Sequence, residues 1–224
     1  MKTGMRVAAS SVWGVASWIA ILLIPAGTVH YWQAWVFLAV FTAATIVPVI
    51  YLGRNNPAAL QRRMNAGPRA EPRKAQKFIV FGAFGGLFAT MVFSSLDHRF
   101  GWSSVPPWLC VIGDVLVAVG LGIAMMVIIQ NSYAGSTVRV EADQKLASDG
   151  LYRFVRHPMY AGNVIMMIGI PLALGSYWAL LFVIPGTAAL VLRILDEEKL
   201  LTAELTGYPE YKQRVRYRLV PAIW

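Results

Sequence analysis

A chain of 224 residues that is 57% hydrophobic and only 14% charged cannot wet the outside of a soluble domain, which carries about a quarter charged residues. A mean hydropathy of +0.56 excludes a disordered segment. A lone cysteine, Cys110, inside an apolar run excludes a disulfide-stapled secreted fold.

The apolar surplus falls in blocks: Val12–Val29, Trp35–Leu52, Phe78–Leu96, Trp108–Ile129, Met159–Leu174 and Tyr177–Leu192. A hydrocarbon core of about 30 Å takes about 20 helical residues, so the first four blocks are predicted to span it. Val12–Val29 reads as a retained helix, because no small-residue cleavage site follows a short apolar core. Asp114 interrupts the fourth block and should face other helices or lie near an interface. The last two blocks, joined by Gly175-Ser176, read as a short helical hairpin over 158–192 that spans barely or incompletely. The predicted fold is an all-α integral membrane protein with four full transmembrane helices plus that hairpin, five to six membrane segments in all. Residues 1–129 form the N-terminal helices, and 130–224 form a connector, the hairpin and a polar C-terminal segment.

Sidedness follows from the cations. Lys2 and Arg6 precede the first helix, Thr28–Gln33 has no Lys or Arg, and the loop 53–77 has Arg54, Arg62, Arg63, Arg69, Arg73, Lys74 and Lys77. The positive-inside rule then puts both termini, the basic loop and Gln130–His157 in the cytoplasm. The net charge of +9 is accounted for by this orientation and by anionic membrane lipids, without nucleic acid as a partner. The glycines of Gly82-x-x-Gly85-Gly86, and Gly113 with Gly120 and Gly122, read as helix-packing positions. His30, His98 and His157 are scattered, so no metal site is expected.

Polar chemistry collects in two pieces, Gln130–Tyr160 and Arg193–Trp224, which flank the hairpin and so should form one pocket at the membrane surface. In the first, Pro158 suits the first position of a helix and His157 its N-cap. With Arg156 and His157 adding donors, that helix N-terminus is an anion site. In the second, Arg193 and Glu197 are spaced i,i+4 as a surface ion pair would be. Three successive acids, Asp196-Glu197-Glu198, on a helix leaving the membrane call for a cationic partner. Lys212, Arg214, Arg216 and Arg218 alternate near the end and suit lipid headgroups first, with closure of the pocket as the second reading.

The ordered motifs Gly150-x-Tyr152-x-x-x-Arg156-His157-Pro158-x-Tyr160-x-Gly162, Arg193-x-x-x-Glu197-Glu198-x-x-Leu201 and Gly207-Tyr208-x-x-Tyr211 resemble those of the isoprenylcysteine carboxyl methyltransferase family, with phospholipid N-methyltransferases and methanethiol S-methyltransferases as relatives. The resemblance covers roughly residues 130–221. It implies an integral membrane methyltransferase whose cofactor, S-adenosyl-L-methionine, sits in a cytoplasmic pocket made by the last helices. Carried over by motif, Gln144-Lys145-Leu146-Ala147 corresponds to a cofactor-contacting stretch of which only the leucine is retained. Tyr152, His157, Pro158, Met159 and Tyr160 match cofactor positions, Glu197 a cofactor-binding glutamate, Arg193 a substrate-contacting arginine, and Thr137 a further polar cofactor position.

Physically, Arg156 and His157 suit the cofactor's carboxylate, and Glu197 or Glu198 its ribose hydroxyls or ammonium. No side chain is needed as a general base for an ionised acceptor, so catalysis rests on positioning, by Arg193 and Tyr160. Tyr160 and Tyr211 are either polar contacts to the substrate or interfacial anchors. The expected acceptor is a lipophilic or small apolar molecule, with an isoprenylcysteine-like carboxylate first, then a phospholipid amine or a small thiol. More remote are an NADPH-dependent sterol-type reductase, against which the acids at Asp196–Glu198 argue, and a non-enzymatic membrane scaffold or transporter.

Overall fold

The computed structural model describes residues 2–64, 71, 73–134, 140 and 144–224, with backbone only at 2–13, 74 and 75. Among them there are helices and no strand: α1 (Lys2–Ala26), α2 (Trp32–Asn55), α3 (Pro57–Met64), α4 (Lys74–Phe100), α5 (Pro107–Gln130), α6 (Pro158–Ala173), α7 (Val183–Glu204) and α8 (Tyr208–Arg214). Short 3-10 turns, Gly150–Arg153 and Trp178–Phe182, precede α6 and α7.

Among the described residues, four helical stretches are long and apolar enough to cross a membrane: Trp32–Asn55, Gln76–Phe100, Pro107–Gln130 and Trp178–Glu204. The protein is a multi-pass membrane protein of all-α architecture. The hairpin differs from the sequence expectation in its second arm. The apolar block predicts an arm that spans barely or incompletely, but the turn at Trp178 feeds straight into α7, and the helix, running on through the acids as expected, gives a stretch to Glu204 long enough to cross. It continues because its charged side chains find buried partners. The first arm, Pro158–Ala173, stays short.

Proline and glycine set the joints. Pro107 and Pro158 occupy the first turns of α5 and α6, where a missing N–H costs nothing. Gly175, at φ 73°, turns the hairpin in a left-handed conformation that a side chain would strain. The tightest helix pair is α5 against α6. A Cβ at Gly120 would fall 2.5 Å from the Gly162 carbonyl oxygen, and one at Gly169 2.8 Å from that of Gly113. These glycines therefore let two backbones touch, as small residues do in membranes. A Cβ at Gly82, Gly85, Gly86 or Gly122 would meet none of the described residues within 4 Å, whereas Gly113 and Gly120 serve the packing role expected of them.

The main core joins α1, α2, α4, α5 and α6 around Leu22, Tyr31, Phe37, Met91, Val117 and Ile170. Asp114 turns inward, as expected, and is buried with no hydrogen-bond partner for either oxygen. The antiparallel course of the helices gathers the ends of α2, α5 and α7 and the starts of α4 and α6 at one end of the bundle. All the polar pieces meet there.

Candidate functional site

Successive residues of an α-helix step about 100° around its axis. The run Asp196-Glu197-Glu198 of α7 therefore faces three different neighbours. Asp196 turns to α4, where Arg73 Nη2 lies 2.8 Å from its Oδ1 and Gln76 Nε2 donates to its Oδ2. Glu197 turns to α6 and accepts the Tyr160 hydroxyl at 2.6 Å. Glu198 turns to the segment before α6 and to the chain beyond α8. Its Oε1 accepts from Arg156 Nε at 2.7 Å and lies 3.3 Å from His157 Nε2, and its Oε2 takes Arg218 Nη2 at 3.0 Å. For Asp196 and Glu198, the cationic partner that the acids call for is the protein's own set of arginines.

Around Glu198 the two polar pieces are sewn together. The N–H groups of Arg156 and His157 each donate at 2.9 Å, to the carbonyls of Tyr217 and Arg218. Arg156 Nη1 reaches the Val215 and Arg216 carbonyls at 2.9 and 3.0 Å. Leaving a buried charge unpaired is costly, so one carboxylate fixes the register of three segments distant in sequence.

Between these walls lies a solvent-open cleft. Of the residues named from the sequence, Gln144, Leu146, Ala147, Tyr152, Arg156, His157, Pro158, Met159, Tyr160, Glu197 and Tyr211 line it. Glu198 stands behind the wall, 5% exposed, with its oxygens taken by cations. Lys145 is exposed and off the cleft. Thr137 lies outside the described residues.

Arg193 is buried and off the cleft, not at the lipid boundary. Its Nε donates to the Tyr160 hydroxyl and its Nη1 to Gln76 Oε1, both at 2.9 Å, with Glu71 Oε2 3.8 Å away. The expected i,i+4 pair of Arg193 with Glu197 is thus bridged by Tyr160, which accepts from one and donates to the other. Tyr160 and Tyr211 are interior groups and not interfacial anchors: they are 9% and 2% exposed, and the Tyr211 hydroxyl donates to the Tyr152 carbonyl at 2.8 Å. Pro158 brings no N–H, and those of Tyr160 and Ala161 already reach the His157 carbonyl at 3.1 Å. The anion at this corner is the chain's own Glu198, which accepts from Arg156 and lies 3.3 Å from His157 Nε2.

The cleft also includes Asn131, Tyr133, Leu201, Leu205 and Tyr208, which were not singled out as site residues. Leu201 and Leu205 follow Glu197 by one and two helical turns, so helical periodicity would have found them. Asn131 Nδ2 donates to the Tyr152 hydroxyl at 3.2 Å. Tyr208 stands in a quoted motif, and its hydroxyl is buried without a hydrogen-bond partner. Burial pushes the Tyr152 phenol up to about 12, against the opposing pull of the Asn131 amide. It also raises Tyr208 and Tyr211. All three are neutral at physiological pH.

An all-helical membrane protein with a polar cleft at one end of its bundle is the class that fold and site define. Residues 108–207 match the family model of the phospholipid methyltransferases, which supports a membrane methyltransferase. The match takes in α5, α6, α7 and most of the cleft. A 97-residue stretch is 33% identical to the Delta(14)-sterol reductase TM7SF2 of Mus musculus, covering 42% of this chain and 23% of that protein. The chain thus spans less than a quarter of the length of this curated relative.

Proposed function

We propose that the protein is a methyltransferase that binds S-adenosyl-L-methionine in the cleft and methylates a lipophilic acceptor drawn from the bilayer. The observation that carries this reading is that Arg156–Tyr160 and Glu197, distant in sequence, line one cleft, with the Tyr160 hydroxyl on the Glu197 carboxylate. The donor set fits the cofactor. The Glu197 carboxylate serves hydroxyls or an ammonium, and Leu146, Leu201 and Leu205 give apolar area. The partnerless Tyr208 hydroxyl is a donor waiting for an acceptor. When bound, the cofactor supplies a methyl group already activated by a sulfonium. The chain's own residues hold and orient the reactants and exclude water. Glu197 is the carboxylate of the described cleft wall, and a phosphorylated ribose placed against it would be repelled, which disfavours the reductase reading. The basic end, where Arg54, Arg63, Lys77 and Arg153 stand against Arg99 at the other, faces the cytoplasm under the positive-inside rule, with both termini on that side.

The acceptor is best read as a phospholipid-type amine. The carboxylate reading leaned on Arg193, whose guanidinium is held by Tyr160 and Gln76 beside Glu71. The family match favours the amine. An isoprenylcysteine-like carboxylate is the second reading, supported by the order of the motifs. Calorimetry tests the first claim: the purified protein should bind the cofactor in the micromolar range, and Glu197→Ala or His157→Ala should weaken binding at least about ten-fold, as loss of charge-assisted bonds does. Unchanged affinity in both variants would overturn the site. The pH profile separates the acceptors. An amine must lose a proton, so its rate rises through about pH 7–10, whereas a carboxylate is flat above about pH 5. The raised phenols of Tyr152, Tyr208 and Tyr211 stay protonated over that range and do not produce the rise.

A further inference from the structure

α3 has an arrangement that neither the core nor the cleft explains by itself. Asn56 ends α2, with its N–H on the Leu52 carbonyl at 2.8 Å, and its side chain caps α3 by accepting the Ala59 N–H at 3.1 Å. The chain therefore turns at once into a second, short helix at the basic end. One face of α3 is apolar: Ala59 is buried with Leu52 and Ile128, and Leu60, Met125 and Met159 pack on them. On another face, the Arg62 guanidinium carbon stands 4.6 Å over the Tyr133 ring, and its Nη1 is 3.5 Å from the Ser132 carbonyl. Met159 and Tyr133 are both cleft wall. The outer face carries Arg63, exposed, with Met64 at 68% exposure, and Arg54 is exposed at the end of α2. No acid occurs in the sequence from Gly53 to Ala70.

A short helix with cations and an exposed thioether outward, at the rim of a membrane protein, has the chemistry of an interfacial helix against anionic headgroups. We propose that α3 and the end of α2 dock on an anionic phospholipid surface through Arg54 and Arg63, and that this docking braces the cleft wall at Tyr133 and Met159 so that headgroup composition regulates cofactor binding. The inference rests on the cleft being the cofactor site. Lipid contact at Arg54 and Arg63 favours the seated position of α3. The seated position is the one in which Arg62 covers Tyr133, and a ligand that needs the formed wall binds it more tightly.

The test is calorimetry of S-adenosyl-L-methionine with the full chain in nanodiscs of phosphatidylcholine alone or mixed with phosphatidylglycerol. We expect roughly five-fold tighter binding in the mixed discs, the scale set by one basic side chain near an anionic surface. Raising the salt should erase the gain. The double variant Arg54→Gln/Arg63→Gln should keep the affinity seen in phosphatidylcholine and lose the gain. Equal affinity of the unmodified chain in both discs, or a gain that survives in the double variant, overturns the inference while leaving the cofactor site intact. A gain reproduced in phosphatidylcholine by inorganic phosphate assigns the cations to a free anion and overturns the lipid surface. Absence of binding in either disc instead removes the methyltransferase reading.

Discussion

The two ends of the bundle bury carboxylates by opposite means. At the end away from the cleft, Asp97 is fully buried, and neutral groups satisfy it: the Ser103 N–H and hydroxyl, both at 2.7 Å, and the Ser176 hydroxyl. Ser103 and Ser176 in turn accept the N–H groups of Tyr177 and Ala179 at 3.0 and 3.1 Å. Nearby, the Tyr31 hydroxyl donates to the Leu174 carbonyl at 2.6 Å and its ring stacks on His98 at 3.9 Å. That knot closes the hairpin tip onto the loop after α4. At the cleft end, Glu198 is held by Arg156, His157 and Arg218, and next to it the Tyr208 hydroxyl is left with no partner. A closed polar network rigidifies; a network with a donor left over beside a space is one that a ligand completes.

Removing the carboxylate at the charged end should have the largest effect. Glu198→Ala leaves Arg156 buried beside Arg218 with no anion between them, and breaking such a pair costs about 3–5 kcal/mol. Thermal unfolding in detergent should show a large loss of stability. Glu198→Gln keeps the shape but not the charge and should recover only part of it. A variant as stable as the parent would mean that the cations there are paired from elsewhere.

The neutral end should respond less. Asp97→Ala strands the donors of Ser103 and Ser176, at about 1–3 kcal/mol for unmet buried groups. Cofactor affinity, titrated on the folded fraction, should not change, because the cleft lies at the other end. A fall in affinity as large as that of Glu197→Ala would join two ends that the structure keeps apart.

How legible these ends were differs for a physical reason. Hydropathy found the apolar helices because a bilayer tests composition along a single segment. Motif order found most of the cleft, since Arg156–Tyr160 and Glu197 are brought together by a hairpin whose topology leaves little choice. Sequence spacing could not show that Glu198 and Arg193 turn away from the space, because that depends on the rotation of α7 against α4 and α6. Nor could it show the Asp97 knot, whose Ser176 member is 79 residues away and whose members are neutral apart from Asp97 itself.

The smallest change sharpens the contrast most. Tyr208→Phe removes one oxygen from a site where it has no hydrogen bond, so the protein should lose no stability and gain up to about 1 kcal/mol, because a buried hydroxyl without a partner is a penalty in the free protein. The same hydroxyl lines the cleft, and if the cofactor completes it, affinity should fall about 3- to 10-fold, the size of one hydrogen bond. Equivalent removal at the other end, Tyr31→Phe, breaks an existing 2.6 Å bond and should reduce stability with no change in affinity. Melting and titration of these two variants should therefore move in opposite senses: Tyr208→Phe more stable and weaker in binding, Tyr31→Phe less stable and unchanged in binding. If Tyr208→Phe binds the cofactor as the parent does, the leftover hydroxyl serves some other group, and the cofactor's position in the cleft must be drawn away from α8.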